Sequence, residues 1–234
     1  MTQLQLEQVR KSFINGETEE EVLKGVDLSL EQGEVTTLIG SSGSGKSTLL
    51  TIAAGLQPLT SGQILFENQN LAEMRSEQVR KIRAHHFGFV FQSSHLVPFL
   101  TVEEQLSMMI DIAGMEITKH DKQKQIKRIL EKVGMTHRLT SYPSSLSGGE
   151  KQRVAVARAI IHKPKVLFAD EPTASLDSKR SRDTMELIQQ LTTSLGMTTL
   201  TVTHDEEMLV YADHIVKMSD GQIVNARKSA KRFC

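Results

Sequence analysis

The stretch Gly40-Ser41-Ser42-Gly43-Ser44-Gly45-Lys46-Ser47 limits this chain most, because it satisfies the phosphate-loop pattern in full. Val35 to Ile39 ahead of it is a short β-prone run, and Lys46 to Leu56 behind it reads as a helix. Strand, glycine-rich loop and helix in that order aim backbone N–H groups at an anion, and the helix N-terminus adds favourable potential. The glycines let the backbone turn inward. Lys46 is then placed for the β- and γ-phosphates, and the Ser47 hydroxyl for Mg²⁺. The loop residues Gly40, Ser41, Ser42, Gly43, Ser44, Gly45, Lys46 and Ser47, with Thr48 behind them, are expected to hold a nucleotide.

Val166-Leu167-Phe168-Ala169-Asp170-Glu171 supplies a second half. An apolar strand beside the phosphate-loop strand would deliver Asp170 to the metal, and Glu171, next in the chain, could orient a water or accept its proton. Leu146-Ser147-Gly148-Gly149-Glu150 is another glycine-rich element, opening a helix with Val154, Ala157, Ile160 and Ile161 on its apolar side. Ser147 could simply cap that helix. Paired glycines cost conformational entropy, however, and a ligand would explain them.

The rest of the chain fits an α/β core with an insertion. Ser178 to Leu195 reads as a helix and Thr198 to Thr203 as a β-branched strand, so strand and helix alternate as in a parallel sheet covered by helices. Val26, Leu28 and Leu30 alternate with polar residues and suggest a half-exposed antiparallel strand near the N-terminus. Between the two halves, Thr101 opens a helix with Glu104 placed for a capping box, and Ile126, Ile129, Leu130 and Val133 form a helical stripe closed by Gly134. Residues 94–145 are therefore expected to be a helical insertion, with 1–93 and 146–225 as the core. Asp220-Gly221 marks a late hairpin turn, and residues 226–234, with Arg227, Lys228, Lys231 and Arg232, read as a basic solvated tail. The acidic run Glu17 to Glu21 reads as a solvated loop.

Lys+Arg 28 against Asp+Glu 28 gives a formal net charge of +0, so no global field draws the chain to nucleic acid or an anionic membrane. The only cysteine is Cys234, which excludes an internal disulfide framework. Met1 to Arg10 is polar, without the apolar core of an export signal, and no apolar stretch reaches the roughly 20 residues a membrane span needs. The histidines at 85, 86, 95, 120, 137, 162 and 214 show no metal-ligand spacing, and surface or packing roles are expected for them.

With these motifs in place, the chain resembles the ATP-binding subunits of ABC transporters over nearly its whole length. Leu146 to Glu150 corresponds to the family's signature motif, with Glu150 where Gln is commoner. The resemblance implies a phosphate-loop ATPase fold of ABC type: a mainly parallel sheet core, an N-terminal antiparallel β part and an inserted helical subdomain. It makes Gln92 the residue that senses Mg²⁺ and the γ-phosphate, and Ser175-Leu176-Asp177 a loop that crosses to a partner subunit. His204 becomes the γ-phosphate switch. Phe13 matches the position that stacks on adenine, where Tyr is more usual, and packing in the core is the alternative. Further implications are ATP and Mg²⁺ as cofactors, and a homodimer in which each phosphate loop faces the other copy's Ser147, Gly148, Gly149 and Glu150. That pair would work with two copies of a separate permease at the cytoplasmic face of the cell membrane.

Other ABC classes fit less well. DNA-organising members insert a long coiled coil between the positions of Gln92 and Leu146, translation factors carry two such domains in tandem, and this chain has neither. The signature motif argues against a nucleotide kinase or GTPase. Within transporters, Phe91 to Leu106 and Ala169 to Asp177 resemble haem-exporter ATPases, with lipoprotein release and peptide-antibiotic or macrolide export as the runner-up.

Overall fold

A computed structural model describes residues 1–16 and 18–229. In chain order its elements are β1 (Thr2–Asn15), β2 (Thr18–Glu31), β3 (Val35–Ile39), α1 (Lys46–Ala53), β4 (Ser61–Phe66), β5 (Gln69–Asn70), α2 (Ser76–His86) and β6 (Phe87–Val90). There follow α3 (Val102–Ile112), α4 (Lys119–Lys132), α5 (Gly148–Ile160), β7 (Val166–Asp170), α6 (Ser178–Leu195), β8 (Thr198–Val202), β9 (His214–Ser219) and β10 (Gln222–Lys228).

Two sheets result. One is antiparallel in the order β2-β1-β4-β5; the other runs β10-β9-β3-β8-β7-β6. In the second, β6, β7, β8, β3 and β9 are parallel, and only β10 turns back, across Asp220 and Gly221 with φ 47° and 78°. Strands β7 and β8 are apolar or β-branched and buried almost throughout, as a sheet covered on both faces requires. In β2, by contrast, Leu23, Val26, Leu28 and Leu30 are buried while Asp27 and Ser29 are exposed, the alternation of a strand with one wet face.

Four expectations change. Strand β8 lies between β3 and β7, so Asp170 reaches the phosphate loop from two strands away. Helix α1 ends at Ala53 and not Leu56, because Gly55 turns left-handed at φ 63° and its N–H bonds Ile52 O. Glu19, Glu20 and Glu21 are not loop: they pair in β2 with Ile14, Phe13 and Ser12 across a turn at Gly16. Charges suit them there, since β2 is an edge strand of its sheet. Arg227 and Lys228 are not tail but β10 residues, opposite Ile215 and His214. Glu17, Lys231, Arg232 and Cys234 lie outside the described residues.

The elements close over two apolar clusters. Leu38, Leu49, Leu50, Phe168 and Leu200 lie in the one between the sheets and α1. The other joins Leu106 and Ile110 of α3 and Ile126 and Leu130 of α4 to Val154 and Ile160 of α5 and Ile188 of α6. The inserted helices thus share their core with α5, the helix behind Ser147. Helix α3 starts as its residues predict: Thr101 Oγ1 accepts the Glu104 N–H at 3.3 Å, and Glu104 Oε2 accepts the Thr101 N–H at 2.7 Å.

Candidate active site

The loop after β3 owes its shape to its glycines. A Cβ at Gly40 would stand 2.2 Å from Met218 O, and one at Gly45, where φ is 94°, would stand 2.9 Å from Leu23 Cδ2. The loop closes around Lys46, whose buried Nζ donates to Gly40 O at 2.9 Å and Ser41 O at 2.7 Å. Ser41, Ser42 and Gly43 remain exposed on its outer side, and Thr48 is half-buried behind it.

Ser47 Oγ donates to Asp170 Oδ1 at 3.1 Å, which joins α1 to the C-terminal end of β7. Burial pushes the Asp170 carboxyl above its ordinary range against the Ser47 hydrogen bond, and the neighbouring Glu171 charge adds to the rise. Glu171 adopts φ 45°, a left-handed conformation uncommon for a side-chain-bearing residue. Its N–H bonds Val202 O at 3.0 Å, and its Oε2 lies 3.1 Å from His204 Nδ1. Glu171, Ala174, Leu176, Thr203 and His204 line a cavity of about 210 Å³. Lys46, Ser47, Asp170, Glu171 and His204 thus meet at the carboxyl ends of neighbouring parallel strands, the usual place for a ligand in such a sheet. The arrangement offers a cation, two oxygen donors for a hard metal and a carboxylate paired with an imidazole.

Among the described residues, other sequence candidates, outside the phosphate loop, make no hydrogen bond to this group's side chains. Phe13 is 37% exposed, with Lys11 Nζ 4.9 Å from its ring centroid, so core packing is ruled out. Gln92 is exposed, and its carbonyl accepts from Ser175 Oγ at 3.5 Å. Asp177 caps α6, its Oδ1 accepting the Arg180 N–H at 3.0 Å. Ser147 caps α5 together with Glu150: the Glu150 Oε2 accepts the Ser147 N–H at 2.8 Å. A Cβ on Gly148 would meet only Leu176 Cδ2, at an ordinary 3.8 Å. Packing among the described residues therefore gives no reason for glycine at 148.

Two positioning side chains escaped the sequence reading. Gln152 Nε2 donates to Phe91 O at 3.2 Å and Pro172 O at 2.8 Å, tying the segments that carry Gln92 and Glu171 to α5. Arg158 donates to His95 O at 2.6 Å and Ser94 O at 2.7 Å. The available signal was periodicity: Gln152, Ala155, Val156 and Ala159 form a buried helical stripe with one polar member. His95 packs edge-on against Phe91, with ring centroids 5.6 Å apart.

Comparison with known proteins decides what this assembly belongs to. The profile of the ABC transporter family matches residues 23–174, more than half of the chain. The chain is a member of the ABC transporter family. It is 45% identical over 95% of its length to HrtA of Staphylococcus saprophyticus, named as a hemin import ATP-binding protein, of which 99% is covered. HrtA of Staphylococcus haemolyticus, with the same name, is 44% identical over 94% of this chain and 98% of its own. Among solved structures, the ATP-binding cassette MJ0796, a dimer in a post-hydrolysis state bound to ADP and Pi, superposes with a TM-score of 0.87 at 32% identity. That match covers 96% of this chain and 98% of the other. As an ABC ATPase, the chain binds and hydrolyses ATP to drive transport. No helix among its described residues is long and apolar enough to cross a membrane.

Proposed function

We propose that two copies of this chain form a homodimer that powers two copies of a separate permease at the cytoplasmic face of the membrane, and that the cargo is haem, moved outward. One observation carries the assembly. Gly148 opens α5 in a position with room for a side chain, so no described residue requires glycine there, whereas a group brought up by a second copy would. A triphosphate held on the partner copy's phosphate loop fits that requirement, and the dimeric MJ0796 cassette supports it.

In this reading Phe13 stacks on the adenine, Lys46 orients the β- and γ-phosphates, and Glu171 takes the proton of the attacking water. His204 holds the Glu171 carboxylate in place and faces the γ-phosphate. Mg²⁺ would neutralise phosphate charge; Ser47 and Asp170, already joined at 3.1 Å, suit a hard cation, with Gln92 as a further ligand. Residues 94–145 form the helical subdomain that follows the nucleotide state. Phe99, 75% exposed, and Leu100, Met108 and Ile112 beside a cavity of about 630 Å³ offer the permease an apolar dock.

The cargo assignment rests on the resemblance of Phe91 to Leu106 to haem exporters and on the 44–45% identity to proteins named for hemin. Those names say import, and the sign of a cellular measurement separates the directions. Deleting the protein is expected to raise cellular haem and sensitise cells to it, with Glu171→Gln failing to rescue. A fall in cellular haem would establish import. Unchanged haem with new sensitivity to a peptide antibiotic would move the assignment to lipoprotein release or antibiotic export.

A further inference from the structure

Glu150 brings a full negative charge to the start of α5, where, on the reading above, the partner's triphosphate arrives. Its carboxylate is held at both oxygens. Oε2 accepts the Ser147 N–H at 2.8 Å, while Oε1 accepts from Arg138 Nε at 2.8 Å, with His137 Nε2 at 3.8 Å. The reciprocal bond from the Glu150 N–H to Ser147 Oγ is longer, 3.4 Å, so the carboxylate is the tighter half of the cap. Arg138 ends a short 3-10 turn, Thr136–Arg138, in the connection between α4 and α5. The Ser147 N–H and then Arg138 hold the Glu150 carboxyl down to about 2, so it is ionised at any physiological pH.

We propose that Arg138 is a positioning residue for ATP-driven closure: it cancels the Glu150 charge facing the incoming triphosphate and fixes the carboxylate that orients Ser147. The inference rests on the dimer reading, because only there does α5 meet a nucleotide. A purely structural role predicts something else. Both side chains are partly exposed, 37% for Arg138 and 21% for Glu150, and exposed ion pairs add little to stability. A planar guanidinium bonded through Nε also fixes the carboxylate's orientation, which a lysine point charge would not.

The experiment follows closure of the Glu171→Gln protein against ATP concentration by light scattering, alongside thermal unfolding. Arg138→Ala is expected to raise the ATP needed for half-closure about tenfold, the scale of one charge-assisted hydrogen bond. The thermal midpoint should scarcely move, and the defect should shrink as salt screens the exposed carboxylate. Adding Glu150→Gln, which removes the charge but keeps an acceptor for the Ser147 N–H, should return closure to within about threefold of the parent. Arg138→Lys should fall between, and it supplies the reading if the alanine variant does not fold. Unchanged closure in Arg138→Ala, or a Glu150→Gln loss that adds instead of rescuing, would overturn the role of Arg138. Gly148→Asp separates the two levels: if it too closes normally, the dimer reading fails; if it blocks closure while Arg138→Ala does not, only this inference fails.

Discussion

Glu171 combines a left-handed backbone with a carboxylate 3.1 Å from an imidazole. Conformations of that kind cost energy and persist only where surroundings enforce them, and here the hydrogen bond from its N–H to Val202 O does so. From that backbone the carboxylate reaches the His204 imidazole. Glu171→Gln keeps the size and the contact to His204 but cannot take a proton. Turnover of the assembled transporter is expected to fall at least about 100-fold, while ATP binding by equilibrium dialysis persists. Turnover near that of the parent would assign the proton to another group.

Helix α5 ties Ser147 and Glu150 to the segments that carry Gln92 and Glu171. Its first turn carries Ser147 and Glu150, and its second half is buried against α3, α4 and α6. Gln152 ties it to Phe91 and Pro172. Removing that amide in Gln152→Ala leaves two carbonyls without their donor, a cost of about 1–3 kcal/mol in urea denaturation. It should also lower kcat more than it weakens ATP binding, because the lost contacts position Gln92 and Glu171 and hold no phosphate themselves. Loss of binding with unchanged kcat would count against this. What was legible in the sequence at this scale was local. Thr101 with Glu104, Ser178 to Leu195, and the loop around Lys46 depend on neighbours a few residues away, and the structure places each as read. The strand character of Glu19 to Glu21 and of Arg227 and Lys228 depends on partners across a sheet, which charge and composition do not reveal. The same holds for β8 between β3 and β7, since strand order is a property of the assembled sheet.

For the whole molecule, placing Lys46 and Ser147 on different elements, the start of α1 and the cap of α5, makes a composite site testable. A heterodimer pairing one copy altered by Lys46→Ala with another altered by Ser147→Arg places both lesions in the same site and leaves the second whole. One nucleotide per dimer should then be retained, by occupancy measured on defined heterodimers, whereas a signature serving its own chain would damage both sites alike. The topology carries another consequence, in time. β3, which presents the phosphate loop, is made early, but its two sheet neighbours are β8 and β9, pairing Thr36 with Leu200 and with His214. At roughly 5–20 residues per second during synthesis, that strand waits on the order of ten seconds or more for either edge to be covered. Until then, pairing β1 with β2 and packing their apolar face on α1 would cover the Leu38 face of β3. The N-terminal antiparallel sheet, which adds only Phe13 to the proposed chemistry, would then serve during synthesis as a temporary cover for the strand that carries the phosphate loop.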